Sequence, residues 1–145
     1  MIGRVFSARY EITGPLDETP IFSVFSARDR LHGREVCLRL FREPFGTERE
    51  FVERVAAIVL QIYPVQHANL ERMQSVDSDE GHAFLVSSSS KGTKLNERLR
   101  KLGSLSVPVS VATAIAVCEG VHALHSAKTS HGDIGAHNVV ISAEG

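Results

Sequence analysis

The residues whose types and spacing could do chemistry lie near the end of the chain: His131-Gly132-Asp133-Ile134-Gly135-Ala136-His137-Asn138, followed by the apolar run Val139-Val140-Ile141. An aspartate and an asparagine five residues apart, on a loop entering a short strand, can present a carboxylate to a hydroxyl nucleophile and an amide oxygen to a metal. That pairing suits phosphoryl transfer, in which the protein positions groups and neutralises charge more than it forms bonds. A metal hydrolase is the competing chemistry, with His122, His125, His131, Asp133 and His137 as ligands. Their spacing matches no compact metal motif.

Such a loop needs a scaffold, and composition sets its class. The chain has 145 residues, 43% apolar and 23% charged, with a formal net charge of -1. That is enough chain to bury a core of one domain or slightly more. Near-neutrality leaves no electrostatic footprint for nucleic acid or an anionic membrane. The N-terminus lacks the basic and apolar segments of a signal peptide, and no run of ~18 apolar residues is found, so a cytoplasmic protein without membrane insertion is expected. Cys37 and Cys118 fall in a predicted strand and a predicted helix, where buried free thiols are expected.

The first half reads as strands with one helix. Residues 9–15, 21–28 and 35–41 have strand composition and turn punctuation, and 70–76 with 82–86 form a hairpin around Asp77-Ser78-Asp79-Glu80-Gly81. Residues 47–62 are helical, with Thr47 as N-cap and Phe51, Val55, Ile58 and Ile62 on one face. After the serines of 87–90 come a short helix over 94–102, capped by Thr93, and a long one from about 106 to 127. The long helix is apolar beyond a single face, so more than one neighbour must cover it.

The stretches RYEITGPL and VFSARDRLHGREVCLRLF have the lengths of the first three strands of bacterial, Hanks-type Ser/Thr protein kinases. The octapeptide at 131–138 resembles their catalytic loop, H-R-D-L-K-x-x-N. The resemblance covers residues 9–145 and implies an α+β protein-kinase-like fold. A five-stranded antiparallel small lobe with one helix would fill 1–86 and a hinge 87–92. The first helices and catalytic loop of the large lobe would fill 93–145. It also implies roles: Asp133 as catalytic base or hydroxyl-orienting group, Asn138 as a magnesium ligand, Arg39 in place of the phosphate-gripping strand lysine. Val24 and Cys37 would line the nucleotide site, and Ser88 and Ser90 would offer hinge backbone to adenine. The helix partner of the strand cation falls on Arg54 in the register with Ile58 four positions on, and on Glu53, which restores the ion pair with weaker packing, after a one-residue shift.

Departures from the family pattern weigh as much as the matches. Counted back from Val24, the glycine-loop positions hold Asp17, Thr19 and Phe22, with Glu18 and Pro20 between them. Two carboxylates and a proline replace a flexible amide-lined loop, and an ordinary hairpin turn is expected. The alternation of β-side chains sets Cys37 and Arg39 on one face against Val36, Leu38 and Leu40 on the other. If that trio faces the helix-packed core, Arg39 faces the cleft. Gly132 and Gly135 stand where the loop arginine and lysine belong, a pattern shared with small-molecule kinases of the aminoglycoside-phosphotransferase type. The chain stops before the D-F-G aspartate, so it reads as a fragment or as a module whose exposed large-lobe helix docks a protein partner. The expected function is a degenerate pseudokinase or scaffold in which ATP and magnesium binding is doubtful. The alternative is an active divergent Ser/Thr kinase in a longer chain.

Overall fold

In the computed structural model the described residues are 1–142. The end of the expected segment 93–145 falls outside the described residues. Contacts divide the chain into two units, one of Met1–Pro64 and Arg72–Ser89, the other of Val65–Glu71 and Ser90–Gly145.

The first unit is built on a six-stranded antiparallel sheet. Its strands are β1 (Val5–Phe6), β2 (Tyr10–Glu18), β3 (Phe22–Asp29), β4 (Arg34–Phe41), β5 (Met73–Asp79) and β6 (His82–Ser88), in the order β1-β2-β3-β4-β6-β5. Six strands replace the expected five, because Val5–Phe6 pairs with Glu11 and Tyr10. β2 also runs past Pro15 to Glu18, through register shifts on either side of Gly14 and Pro15. A proline is tolerated there because bulged or edge backbone has no ladder bond to lose. Between β5 and β6, Glu80 and Gly81 both take positive φ (51° and 82°), making a two-residue turn shorter than the expected loop. Such mirror-image turns match the twist of the strands they join.

Alternation sorts the apolar side chains onto the two faces of the sheet. Val36, Leu38, Phe84 and Val86 pack with Phe6, Tyr10, Ile12 and Ala27, and Leu40 lies against them. On the other face Phe41, Ala83 and Leu85 pack with Phe51, Val52, Val55 and Val59 of helix α1 (Arg49–Ile62). This corrects the sequence reading: the trio Val36, Leu38 and Leu40 faces away from the helix, and Phe41, on the alternation of Cys37 and Arg39, faces it. The face of α1 is corrected too, since Val59 is buried and Ile58 is half exposed. Thr47 does not cap α1. Its hydroxyl donates to Glu43 Oε2 at 2.8 Å, and the N-cap is Glu48, without a side-chain bond.

One carboxylate inside this unit is fully buried. Asp29, at the end of β3, accepts Arg9 Nε and Nη2 at 2.9 and 2.8 Å, the Leu31 amide at 3.0 Å, and lies 2.7 Å from His32 Nδ1. The Arg9 fork, the His32 contact and the Leu31 amide hold its carboxyl well below the usual aspartate range. The clasp joins the turn before β2 to the turn after β3.

The second unit contains α2 (Leu95–Leu102), α3 (Val107–Ser126) and a small antiparallel pair, β7 (Thr93–Lys94) with β8 (Val140–Ile141). Thr93 is therefore a strand residue and not the cap of α2. In α3 only Gly120 and Leu124 are buried, and Val107, Val111 and Ile115 are exposed. Cys118 is exposed as well, contrary to expectation, while Cys37 is buried. Although the sequence lacks an unbroken apolar run, α3 is long and apolar enough to cross a membrane by length and composition, a property it shares with ordinary core helices.

Candidate functional site

The loop at 131–138 is held by the first turn of α2. A helix leaves its first amides without internal partners, and here Leu95 N donates to Val139 O at 2.8 Å and Asn96 N to Ala136 O at 2.9 Å. The loop backbone thus does the capping that a Thr93 hydroxyl was expected to do, and β7–β8 pairing fixes the chain just beyond it.

Within the loop the two candidate residues meet. Asn138 Nδ2 donates to the Asp133 carbonyl and to Asp133 Oδ2, each at 2.8 Å, and Asn138 N donates to Gly135 O at 2.9 Å. His137 Nε2 lies 3.2 Å from the same Asp133 Oδ2. Asp133 N donates to His131 Nδ1 at 3.2 Å. The His137 contact, then the Asn138 amide, hold the Asp133 carboxyl below its ordinary value, and the side chain remains 71% exposed. An ionised, oriented and solvent-reachable carboxylate can accept a hydroxyl proton or hold a hydroxyl in line. Because Nδ2 of Asn138 is committed to Asp133, Oδ1 is the atom left to accept a cation. Gly132 adopts φ +81°, a left-handed conformation that would strain the arginine the family carries there. Among the described residues no group of three or more His, Cys, Asp or Glu is arranged to hold a metal.

The first unit holds the other candidates except Ser90. The turn between β2 and β3 is closed on itself. Thr19 N donates to Phe22 O at 2.8 Å, and the Thr19 hydroxyl accepts Phe22 N at 2.9 Å and Ile21 N at 3.3 Å. Pro20 has no amide to offer. Arg42 spans the turn, donating to Thr19 O at 3.2 Å and lying 3.4 Å from Glu18 Oε2. Val24 is buried and pairs with Arg39, and Arg39 Nη1 donates to Ser87 Oγ at 2.5 Å. Glu53 is paired with Arg49, one turn earlier on α1, at 2.6 Å. Ser88 exchanges bonds with Arg72, Ser88 N to Arg72 O at 2.8 Å and Arg72 N to Ser88 Oγ at 3.0 Å. Ser90 is exposed and opens the second unit's main segment.

The contribution of His137 was missed as a partner of Asp133, although its proximity to two loop glycines was a usable signal. The capping role of Thr19 was missed too, and its signal was a threonine before a proline in a short turn.

Comparison with known proteins points one way. Residues 20–145 match the family model described as protein tyrosine and serine/threonine kinase. A probable serine/threonine-protein kinase of Clostridium perfringens is 23% identical over 145 residues, covering 100% of this chain and 21% of the relative. The serine/threonine-protein kinase PrkC of Bacillus subtilis is 22% identical over 141 residues, covering 97% and 22%. PknA of Mycobacterium tuberculosis is 25% identical over 149 residues, covering 99% and 35%. The chain thus spans about a fifth to a third of the length of these relatives. Among solved structures, the kinase domain of Mycobacterium tuberculosis PknI superposes with a TM-score of 0.84 at 16% identity, over 98% of this chain and 58% of that one. A double mutant of the same domain gives 0.87 over 99% and 57%, also at 16% identity.

Proposed function

The chain belongs to the protein tyrosine and serine/threonine kinase family, and on that premise we propose that it is a degenerate kinase-like module, a pseudokinase or scaffold with weak or no phosphotransfer. Its nucleotide grip is lost and its hydroxyl-orienting loop is kept. One observation carries the reading: the β2–β3 turn spends its amides internally. A phosphate cradle needs backbone N–H groups that point at the anion. Here those of Thr19, Ile21 and Phe22 bond to Phe22 O and to the Thr19 hydroxyl, and Glu18 adds negative charge beside them. These residues do not fit a triphosphate.

Magnesium fares differently. It takes oxygen ligands, commonly one or two carboxylates with phosphates and waters. Asn138 Oδ1 fits one such position, and bound magnesium would neutralise charge on a transferring phosphoryl group. Asp133 would orient the acceptor hydroxyl and take its proton. As a scaffold the module would act in the cytoplasm and meet a protein partner through the exposed apolar side of α3, where Val107, Val111 and Ile115 lie. Co-purification of a partner that is lost in Val111→Asp/Ile115→Asp, in a chain still folded, tests that surface.

The runner-up is an active, divergent Ser/Thr kinase in a longer chain. The Asp133–Asn138 contact favours it, together with the positive charge kept at Arg39. Phosphate transfer from ATP by a longer chain, abolished by Asp133→Ala, would overturn the scaffold reading. No transfer with a panel of hydroxyl-bearing peptides, in a folded sample, supports it.

A further inference from the structure

The two loop glycines have different causes. Gly132 sits at φ +81°, which accounts for a glycine by itself. Gly135 does not have a positive φ, so its backbone would take any residue. What it lacks is room. A Cβ built on Gly135 would lie 2.7 Å from His137 Cε1 and 2.8 Å from His137 Nδ1. The Cε1–Nδ1 edge of the imidazole occupies the position that a side chain at 135 would fill, and the two cannot coexist in this arrangement.

From that position the ring reaches the carboxylate. Nε2 is 3.2 Å from Asp133 Oδ2 and 3.1 Å from Asn138 Nδ2. The asparagine nitrogen already donates to Asp133 Oδ2, and a second donor is what the carboxylate oxygen can accept. Nε2 therefore carries its proton toward Asp133, and its approach to Nδ2 is two donors meeting on one oxygen. Of the other charged or titratable groups of the loop, His131 faces the Asp133 backbone through Nδ1.

We propose that His137 is a positioning residue for Asp133, and that Gly135 and His137 act as one unit: the glycine makes room for an imidazole that braces the carboxylate from the side where the family carries a lysine. The inference deepens the kept half of the reading above and rests on it for the role of Asp133 as acceptor of a hydroxyl. The pair replaces a long flexible cation by a short, rigid donor, so the loop holds its acceptor in place without a lysine. A ligand of this site is a side-chain hydroxyl, recognised by Asp133 Oδ1 or Oδ2 while His137 and Asn138 fix the carboxylate plane.

The test reads the loop directly and needs no nucleotide. The 145-residue chain, Gly135→Ala, His137→Ala, the double variant and His137→Gln are compared at pH 7 by the carboxyl-carbon signal of Asp133 and the side-chain amide signals of Asn138. Far-UV circular dichroism checks that each is folded. The expected result is an equal shift of the Asp133 signal in Gly135→Ala and His137→Ala, no further shift in the double variant, and return toward the starting value in His137→Gln, which keeps an N–H donor. Additive shifts, or an Asp133 signal unmoved by His137→Ala, would overturn the proposal. Loss of nucleotide response leaves these signals untouched, so failure of the functional reading and failure of this one are separately visible.

Discussion

Asp29 and Asp133 each stand beside a histidine and a nitrogen donor, yet the protein treats them in opposite ways. Asp29 is fully buried and clasped by Arg9, His32 and the Leu31 amide. Asp133 is touched by His137 and Asn138 and leaves most of its side chain in water. Both carboxyls are held below their ordinary value by hydrogen-bonded partners. What separates them is accessibility: Asp29 is closed to solvent and can only staple, whereas Asp133 is open to it, as the role proposed for it requires. A perturbed aspartate alone would not have told the two apart.

Removing each carboxylate should widen that contrast. Asp29→Ala removes the buried acceptor shared by Arg9, His32 and the Leu31 amide and is expected to cost about 3 kcal/mol, the scale for breaking a buried pair. Urea unfolding of the chain measures it. Asp133→Ala should leave the unfolding midpoint where it was, and a comparable loss there would erase the distinction. Next in size, Arg9→Ala leaves Asp29 with His32, the Leu31 amide and Arg34 Nε at 3.9 Å, and also removes the guanidinium lying 4.8 Å from the Tyr10 ring centre. A loss of about 2 kcal/mol is expected in the same unfolding curves.

Acid gives the comparison a sign. The ordinary aspartate value is 3.8, and Asp29 is depressed below it when folded. Its contribution is complete above the unfolded-chain value and is lost as pH falls through the folded one. Stability should therefore fall progressively below about pH 4, and Asp29→Asn should flatten that part of the profile. A profile equally steep in the variant would assign the acid sensitivity elsewhere. The smallest effect belongs to His32→Ala, because the ring is half exposed and Arg9 remains on the carboxylate. Less than about 1 kcal/mol is expected, and a larger loss would make His32 the main clasp.

Sequence made the sheet legible because strand alternation survives without any particular motif. Residues 35–41 and 82–86 were read as strands and are strands. β1 escaped because two residues carry no periodicity, so its pairing with Glu11 and Tyr10 left no pattern. The caps failed for two reasons: Thr47 is captured locally by Glu43, four residues earlier, and the amides of α2 are met by carbonyls from residues 136 and 139, far along the chain. The orientation of β4 failed because both faces of the sheet are apolar, and composition cannot say which one meets α1.

At the loop, Asp133 and Asn138 were legible from type and spacing, and the structure brings them within 2.8 Å. Glu53 was not resolved by pattern, since a glutamate on an exposed turn can serve a neighbour four residues away as readily as a strand cation, and Arg49 has it. The Asp29 clasp was invisible. Nothing in a linear pattern says that the arginine before β2 and the histidine after β3 close on one carboxylate.

The most direct test of a lost nucleotide grip beside a kept hydroxyl loop is thermal unfolding of this chain with ATP, with and without magnesium. A ligand at 100 times its Kd should stabilise the fold by about 2.7 kcal/mol, a readily visible rise in midpoint. We expect no magnesium-dependent rise, because the β2–β3 turn has spent its amides on itself. A magnesium-dependent rise would contradict that reading and show that nucleotide is held by other groups of the chain.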